Sequence, residues 1–253
     1  MSEYVHSSTQ MISKRLWKIM KYKAKKIVIT LLLMIVLVIV LVSVSNTQNR
    51  YVDKDLGLTI YADSREDFVI AQKSAIEAYK FFAKHGYTEV KPIIIRFQEK
   101  VIIKITETET SRIYGCYDKG QILMTKRSAA WLNERKIFGL DITNTLHKSI
   151  ITHEITHSLL SSYSGGIKGH GVHEYVAYAS QIQSLPKDMI KLILSNHQGN
   201  FSSENSINSI VHLLKPRIFG ALSFKHYLKT KGALIPRIIN KEFNPDEDLG
   251  GLY

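Results

Sequence analysis

The chain has 253 residues, 45% hydrophobic and 22% charged with five prolines, enough for one medium domain with a proper core; collagen-like, mucin-like and wholly disordered readings are excluded. A single cysteine, Cys116, rules out a disulfide scaffold and a four-cysteine zinc cage, which leaves His, Asp and Glu for any metal. The net charge of +12 is uneven: residues 1–45 hold seven Lys/Arg and one acid, Glu3, and the rest is mildly basic, without aromatic-interleaved basic motifs, so nucleic acid is not an expected partner.

Residues 27–45, IVITLLLMIVLVIVLVSVS, contain no charge, Pro or Gly. As a helix this stretch spans about 28 Å, close to the roughly 30 Å hydrocarbon core of a bilayer. The basic cluster precedes it, so the positive-inside bias puts the N-terminus in the cytoplasm and the remainder outside it, in a periplasm or at the cell surface. A signal peptide cleaved after Ser43, Val44 and Ser45 is the rival reading. The length of the apolar stretch and the 26 residues before it favour an uncleaved anchor. The expected organisation is a basic cytoplasmic tail (1–26), a single-pass transmembrane anchor (27–45), a polar tether (46–57) and one domain (58–253).

Within that domain, residues 58–62 read as a short first strand. Apolar positions at helical spacing follow from Phe68 to Phe82, with Ser64 as N-cap and His85-Gly86 as the stop. Residues 90–97 and 101–106 are β-rich, with Pro92 suited to a strand start or edge. Residues 112–117 and 121–125 predict a hairpin turning at Asp118-Lys119-Gly120. From there the pattern is helical: one helix from Thr143 or Asn144 to about Ser161, a Gly-rich loop over 165–171, a second over about 172–183, a third opening at Pro186, and later ones over 216–228 and 233–239. A β-rich half followed by a helical half predicts the α+β class.

The first of these later helices carries His153-Glu154-Ile155-Thr156-His157, the H-E-x-x-H pattern. Histidines at i and i+4 share a helix face and can reach one zinc ion, while Glu154, about 100° round, can address a water there as general base. Ile151, Ile155 and Leu159 form a separate apolar row that can bury the helix against a sheet. A catalytic zinc takes three protein ligands and keeps one position open. Glu174 on the next helix can be the third ligand if the two helices meet. His170 and His173 compete for the role, His170 lying between glycines and His173 about 100° round the helix from Glu174. The metzincin pattern is excluded, because Leu160 and Tyr163 stand where its Gly and His belong.

His153 to His157, followed by Glu174-Tyr175-Val176-Ala177, resembles the gluzincin zinc metallopeptidases, in particular peptidase MA-like bacterial proteins. The stretch Phe219-Gly220-Ala221-Leu222-Ser223-Phe224 resembles the Gly-Ala-containing helix that packs behind the site in that group. The resemblance covers about residues 110–240. It implies a zincin-like domain with a small mixed sheet and a helical half, one zinc ion held by His153, His157 and Glu174, Glu154 as catalytic base, and peptide-bond hydrolysis. It also implies an edge strand that binds extended substrate, for which it nominates residues 121–125. Two positions depart from the pattern: Tyr175 stands where many relatives have Gly, and Tyr178 where some have Asp. The expected function is that of a membrane-anchored extracytoplasmic zinc metallopeptidase acting on a peptide or protein. A catalytically inactive, membrane-tethered zincin-fold interaction module is the alternative, although it would have no use for Glu154. Tyr178, His212, His226 and Tyr227 are candidate oxyanion donors, each more often structural. Cys116 reads as a packing residue. The glycines at 165, 166, 169 and 171 are loop punctuation, since no phosphate-loop pattern surrounds them.

Overall fold

A computed structural model of the protein describes residues 48–104, 110–167 and 169–246, and Asn49–Tyr253 forms one unit by its internal contacts. The chain runs β1 (Asn49–Asp53), β2 (Leu58–Ala62), α1 (Arg65–Ala83), β3 (Ile93–Gln98), β4 (Val101–Lys104), β5 (Thr110–Ile113), β6 (Gly115–Asp118), β7 (Gln121–Thr125), β8 (Lys136–Ile137) and β9 (Leu140–Asp141). The second half is helical: α2 (Asn144–Ser164), α3 (His170–Gln183), α4 (Lys187–Asn196), α5 (Ser209–Leu214), α6 (Pro216–Thr230) and α7 (Leu234–Ile239). The class is α+β. Among the described residues no helix is long and apolar enough to cross a membrane, and the expected 27–45 span lies outside them.

The main sheet is mixed, in the order β1-β2-β3-β7-β6. The β2, β3 and β7 strands run parallel to their neighbours among themselves, and β1 and β6 close the two edges antiparallel. α1 supplies the crossover between β2 and β3, capped by Ser64, whose side chain accepts from the Asp67 amide. Every second residue of the central strands (Leu58 and Ile60, Ile93 and Ile95, Ile122 and Met124) is fully buried, with Ala71, Ala75 and Phe82 of α1 and Ile151, Ile155 and Leu159 of α2 in the same core. α2 is buried almost all round, from Leu146 to Leu160. It ends at Gly165, whose left-handed φ of 63° lets its amide turn back to the Ser161 carbonyl.

Two strands differ from the sequence expectation. Part of the 46–57 segment expected as a tether is β1, paired residue for residue with β2; Tyr51 stacks on Phe68 at 5.1 Å and Asp53 accepts from Gln72 at 2.6 Å. An exposed edge strand of polar composition (NRYVD) leaves little apolar signal. The expected 112–117 strand splits at Tyr114, with Thr110–Ile113 pairing β4 in a separate ribbon and Gly115–Asp118 pairing β7. The expected turn is present, as Lys119 and Gly120 both adopt positive φ (46° and 83°), the two-residue geometry that suits a hairpin's twist. The outer strand is therefore β6, and residues 121–125, nominated as the edge, lie inside the sheet between β3 and β6.

His147 ties α2 to this sheet, because its Nε2 donates to the Thr125 carbonyl at 2.9 Å while the ring is fully buried. Burial, helped by Arg127 and opposed by that hydrogen bond, pushes the imidazole down to about 4. The neutral ring is what the fold accepts, so its contribution is complete above the ordinary value of 6.5 and is lost as pH falls toward 4. Through this group alone, unfolding free energy should fall by up to about 3 kcal/mol over that window. Denaturant melts of the protein and of His147→Gln should show the acid slope flattened in the variant; equal slopes would refute the assignment.

Candidate metal centre

The i, i+4 spacing on α2 brings the two histidines together, with His153 Nε2 and His157 Nε2 3.1 Å apart. Glu174 comes from α3, one turn into the helix, and meets both: its Oε2 lies 3.4 Å from His153 Nε2 and its Oε1 3.5 Å from His157 Nε2. Three ligands each about 2.0–2.1 Å from one tetrahedral ion stand about 3.3–3.4 Å apart, so this triangle has the edge that zinc requires. Two imidazoles and a carboxylate are also a donor set that suits zinc. The residues present thus fit the ion. His153, Glu154, His157 and Glu174 are all buried, between 7% and 9% exposed.

Electrostatics follow from that burial. Desolvation opposes ionisation of Glu174, but His153, His157 and His212 outweigh it and hold its carboxyl well below the usual range. Burial drives His157 well below its ordinary value; burial also opposes charge on His153, where Glu174 prevails and raises the value. At Glu154 burial prevails and pushes the carboxyl up to about 7, with the Glu174 charge adding to the rise and the His153 charge and Tyr117 amide opposing it. Gly115 of the edge strand makes room for it, since a Cβ there would stand 3.0 Å from Glu154 Cγ and overlap Met124 Sδ.

Tyr175 and Tyr178, on either side of the turn that follows Glu174, are both placed by packing. Tyr175, fully buried, points to α6, where its hydroxyl meets His226 Nδ1 at 2.9 Å. Tyr178 lies edge-on to the His153 ring at 4.7 Å and packs on Phe138 and Phe219. Gln181, 1% exposed, donates its amide to Ser149 Oγ at 3.4 Å and acts to favour the charged His153 imidazole. His153 Nδ1 nonetheless has no partner in hydrogen-bonding geometry among the described residues.

The whole cluster lies within residues matched by one family model, which covers residues 58–247. The chain belongs to DUF6639, a family of unknown function. No curated protein and no solved structure matches it.

Gly220 lets α6 approach the site from behind. A Cβ there would stand 2.8 Å from Tyr178 Cδ1 and 3.0 Å from Phe138 Cε1. Alanine normally stabilises a helix by about 1 kcal/mol over glycine. Overpacking against two buried rings costs about 1–3 kcal/mol. Gly220→Ala should therefore lower the thermal midpoint instead of raising it, and a rise would mean that the rings give way freely.

The remaining candidates separate cleanly. His173 turns aside, its Nε2 at 3.1 Å from the Ile167 carbonyl. His226 is held by Tyr175, and Tyr227 packs on Phe81 and His85, so neither belongs to the cluster. Cys116 is partly buried and its thiol is pushed up to about 11 by desolvation, Glu154 and Asp118, which disables it as a nucleophile. Two histidines were undervalued by sequence reasoning. His170 is the first residue of α3, not a loop residue, and lies 3.7 Å from Glu174 Oε1; His212, on α5, lies 3.6 Å from Glu174 Oε2. The i, i+4 spacing of His170 and Glu174 was available as a signal once the helix start is moved two residues back. His212 was expected only as a candidate oxyanion donor, and nothing local pointed to its meeting with Glu174.

Proposed function

We propose that this protein is a zinc-dependent metallopeptidase, anchored in a membrane by residues 27–45 with the domain on the extracytoplasmic side. The observation that carries the reading is a buried His153-His157-Glu174 triangle of zinc-sized edges with a second carboxylate, Glu154, held apart from it beside an edge strand. Zinc there supplies Lewis acidity, which polarises a scissile carbonyl and brings the pKa of water down toward about 7. His153 and His157 offer Nε2 as neutral donors and Glu174 supplies the single negative charge. Glu154 takes a proton from the attacking water at a carboxylate oxygen and passes it to the nitrogen of the leaving amine. The outer edge of β6 offers backbone hydrogen bonds along which an extended peptide can lie antiparallel or parallel, close to Glu154.

The test is elemental analysis of the full chain in detergent, coupled to cleavage of an unstructured polypeptide. About one zinc per chain, and cleavage that a chelator removes and added zinc restores, are the expected results. A zinc-loaded chain that cuts nothing in a broad peptide library would favour the inactive, tethered zincin-fold module instead.

A further inference from the structure

The Glu174 carboxylate is shared by two ligand sets. Its Oε1 faces His157 at 3.5 Å and His170 at 3.7 Å; its Oε2 faces His153 at 3.4 Å and His212 at 3.6 Å. Each oxygen therefore meets one histidine of each pair. Ligand atoms of His170, Glu174 and His212 all fall within 4.8 Å of one another, as do those of His153, His157 and Glu174.

The second set is built by the fold. His170 and His212 lie on different helices whose first turns are clamped together by Asp246: its Oδ2 accepts the Gly171 amide at 2.9 Å and its Oδ1 the Ser209 amide at 2.7 Å. Ser209 Oγ accepts the Gly171 amide as well, at 3.0 Å. Gly171 permits the approach, because a Cβ there would run into the Asn208 backbone. The His212 ring is 12% exposed, with its Nδ1 buried and without a partner among the described residues, so its polar contact at the cluster is made through Nε2 toward Glu174.

We propose that His170, Glu174 and His212 form a second transition-metal site, suited to zinc, with Glu174 bridging it to the first. This rests on the reading of His153, His157 and Glu174 as a zinc site. Carboxylate-bridged pairs place their ions about 3.5–4 Å apart. Two neutral imidazoles and a carboxylate already committed to one ion bring no new negative charge, so the second site is the weaker and fills only at higher free zinc. His170, 42% exposed, marks its solvent side.

Equilibrium dialysis of the full chain in detergent against rising zinc, read by elemental analysis, tests this. The wild type should bind one equivalent tightly and a second weakly. His170→Ala, a change at a well-exposed side chain, should keep the first and weaken the second by more than about tenfold; His212→Ala should do the same, and His157→Ala should lose the tight step. One equivalent in the wild type, or a second equivalent that survives in both His170→Ala and His212→Ala, would overturn the second site and leave the first intact. No zinc in any form of the chain would overturn both.

Discussion

Glutamine in place of Glu154 should lower turnover by about 100- to 10,000-fold while the zinc content stays at its wild-type level. That range is about 3–5 kcal/mol of barrier at 1.36 kcal/mol per tenfold. The substitution keeps the shape of the side chain and removes only its ability to take a proton. The same variant makes an opposite prediction for stability. Burial lifts the Glu154 carboxyl from an ordinary 4.5 to about 7 in the metal-free chain. An acid whose value is raised by folding penalises the fold once pH exceeds the unfolded value, here by up to about 3 kcal/mol above pH 7. The metal-free Glu154→Gln chain should therefore melt higher than the metal-free wild type at pH 8, with the gap closing below pH 4.5. A merely structural residue would lose activity and stability together, so a variant that is inactive and less stable at pH 8 would sink the assignment.

Glu174→Ala should strip the metal. Loss of a residue that only supports a ligand already weakens metal sites by about 10–100-fold, and the loss here is of the ligand itself and of the one charge that four imidazoles face. Elemental analysis should fall from about one zinc per chain to well under a tenth at micromolar free zinc. Glu174→Gln, which keeps the volume but not the charge, should behave in the same way. A variant that keeps its zinc would mean that the histidines hold the ion without the carboxylate, and both the peptidase site and the bridged second site would then be wrong as drawn.

How much of this was legible in the chain depends on the range over which the information acts. The H-E-x-x-H pair was legible because helix periodicity alone puts residues four apart on one face, and nothing distant can undo that once α2 forms. The caps at Ser64, Thr143 and Gly165, and the turn at Lys119-Gly120, are of the same local kind. The apolar row of Ile151, Ile155 and Leu159 is fully buried as expected, but so is nearly all of α2, a degree of burial that the row alone did not announce. Strand β1 was missed because a half-exposed edge needs no apolar alternation, and β6 was confused with β7 because the order of strands in a sheet is not a property of either strand.

The convergence on Glu174 lies at the other extreme. Its contact with His153 and His157 depends on how α2 and α3 cross, and its contact with His212 on a chain segment 38 residues further on. Asp246 sets that second contact by bonding amides of α3 and α5 at once, and no window of sequence contains both partners. The sequence by itself determined the chemistry available on each helix, since spacing along a helix is a local geometric fact. Only the tertiary structure decided that four histidines surround one carboxylate, because that is set by long-range hydrogen bonds and by the close backbone approach at Gly171.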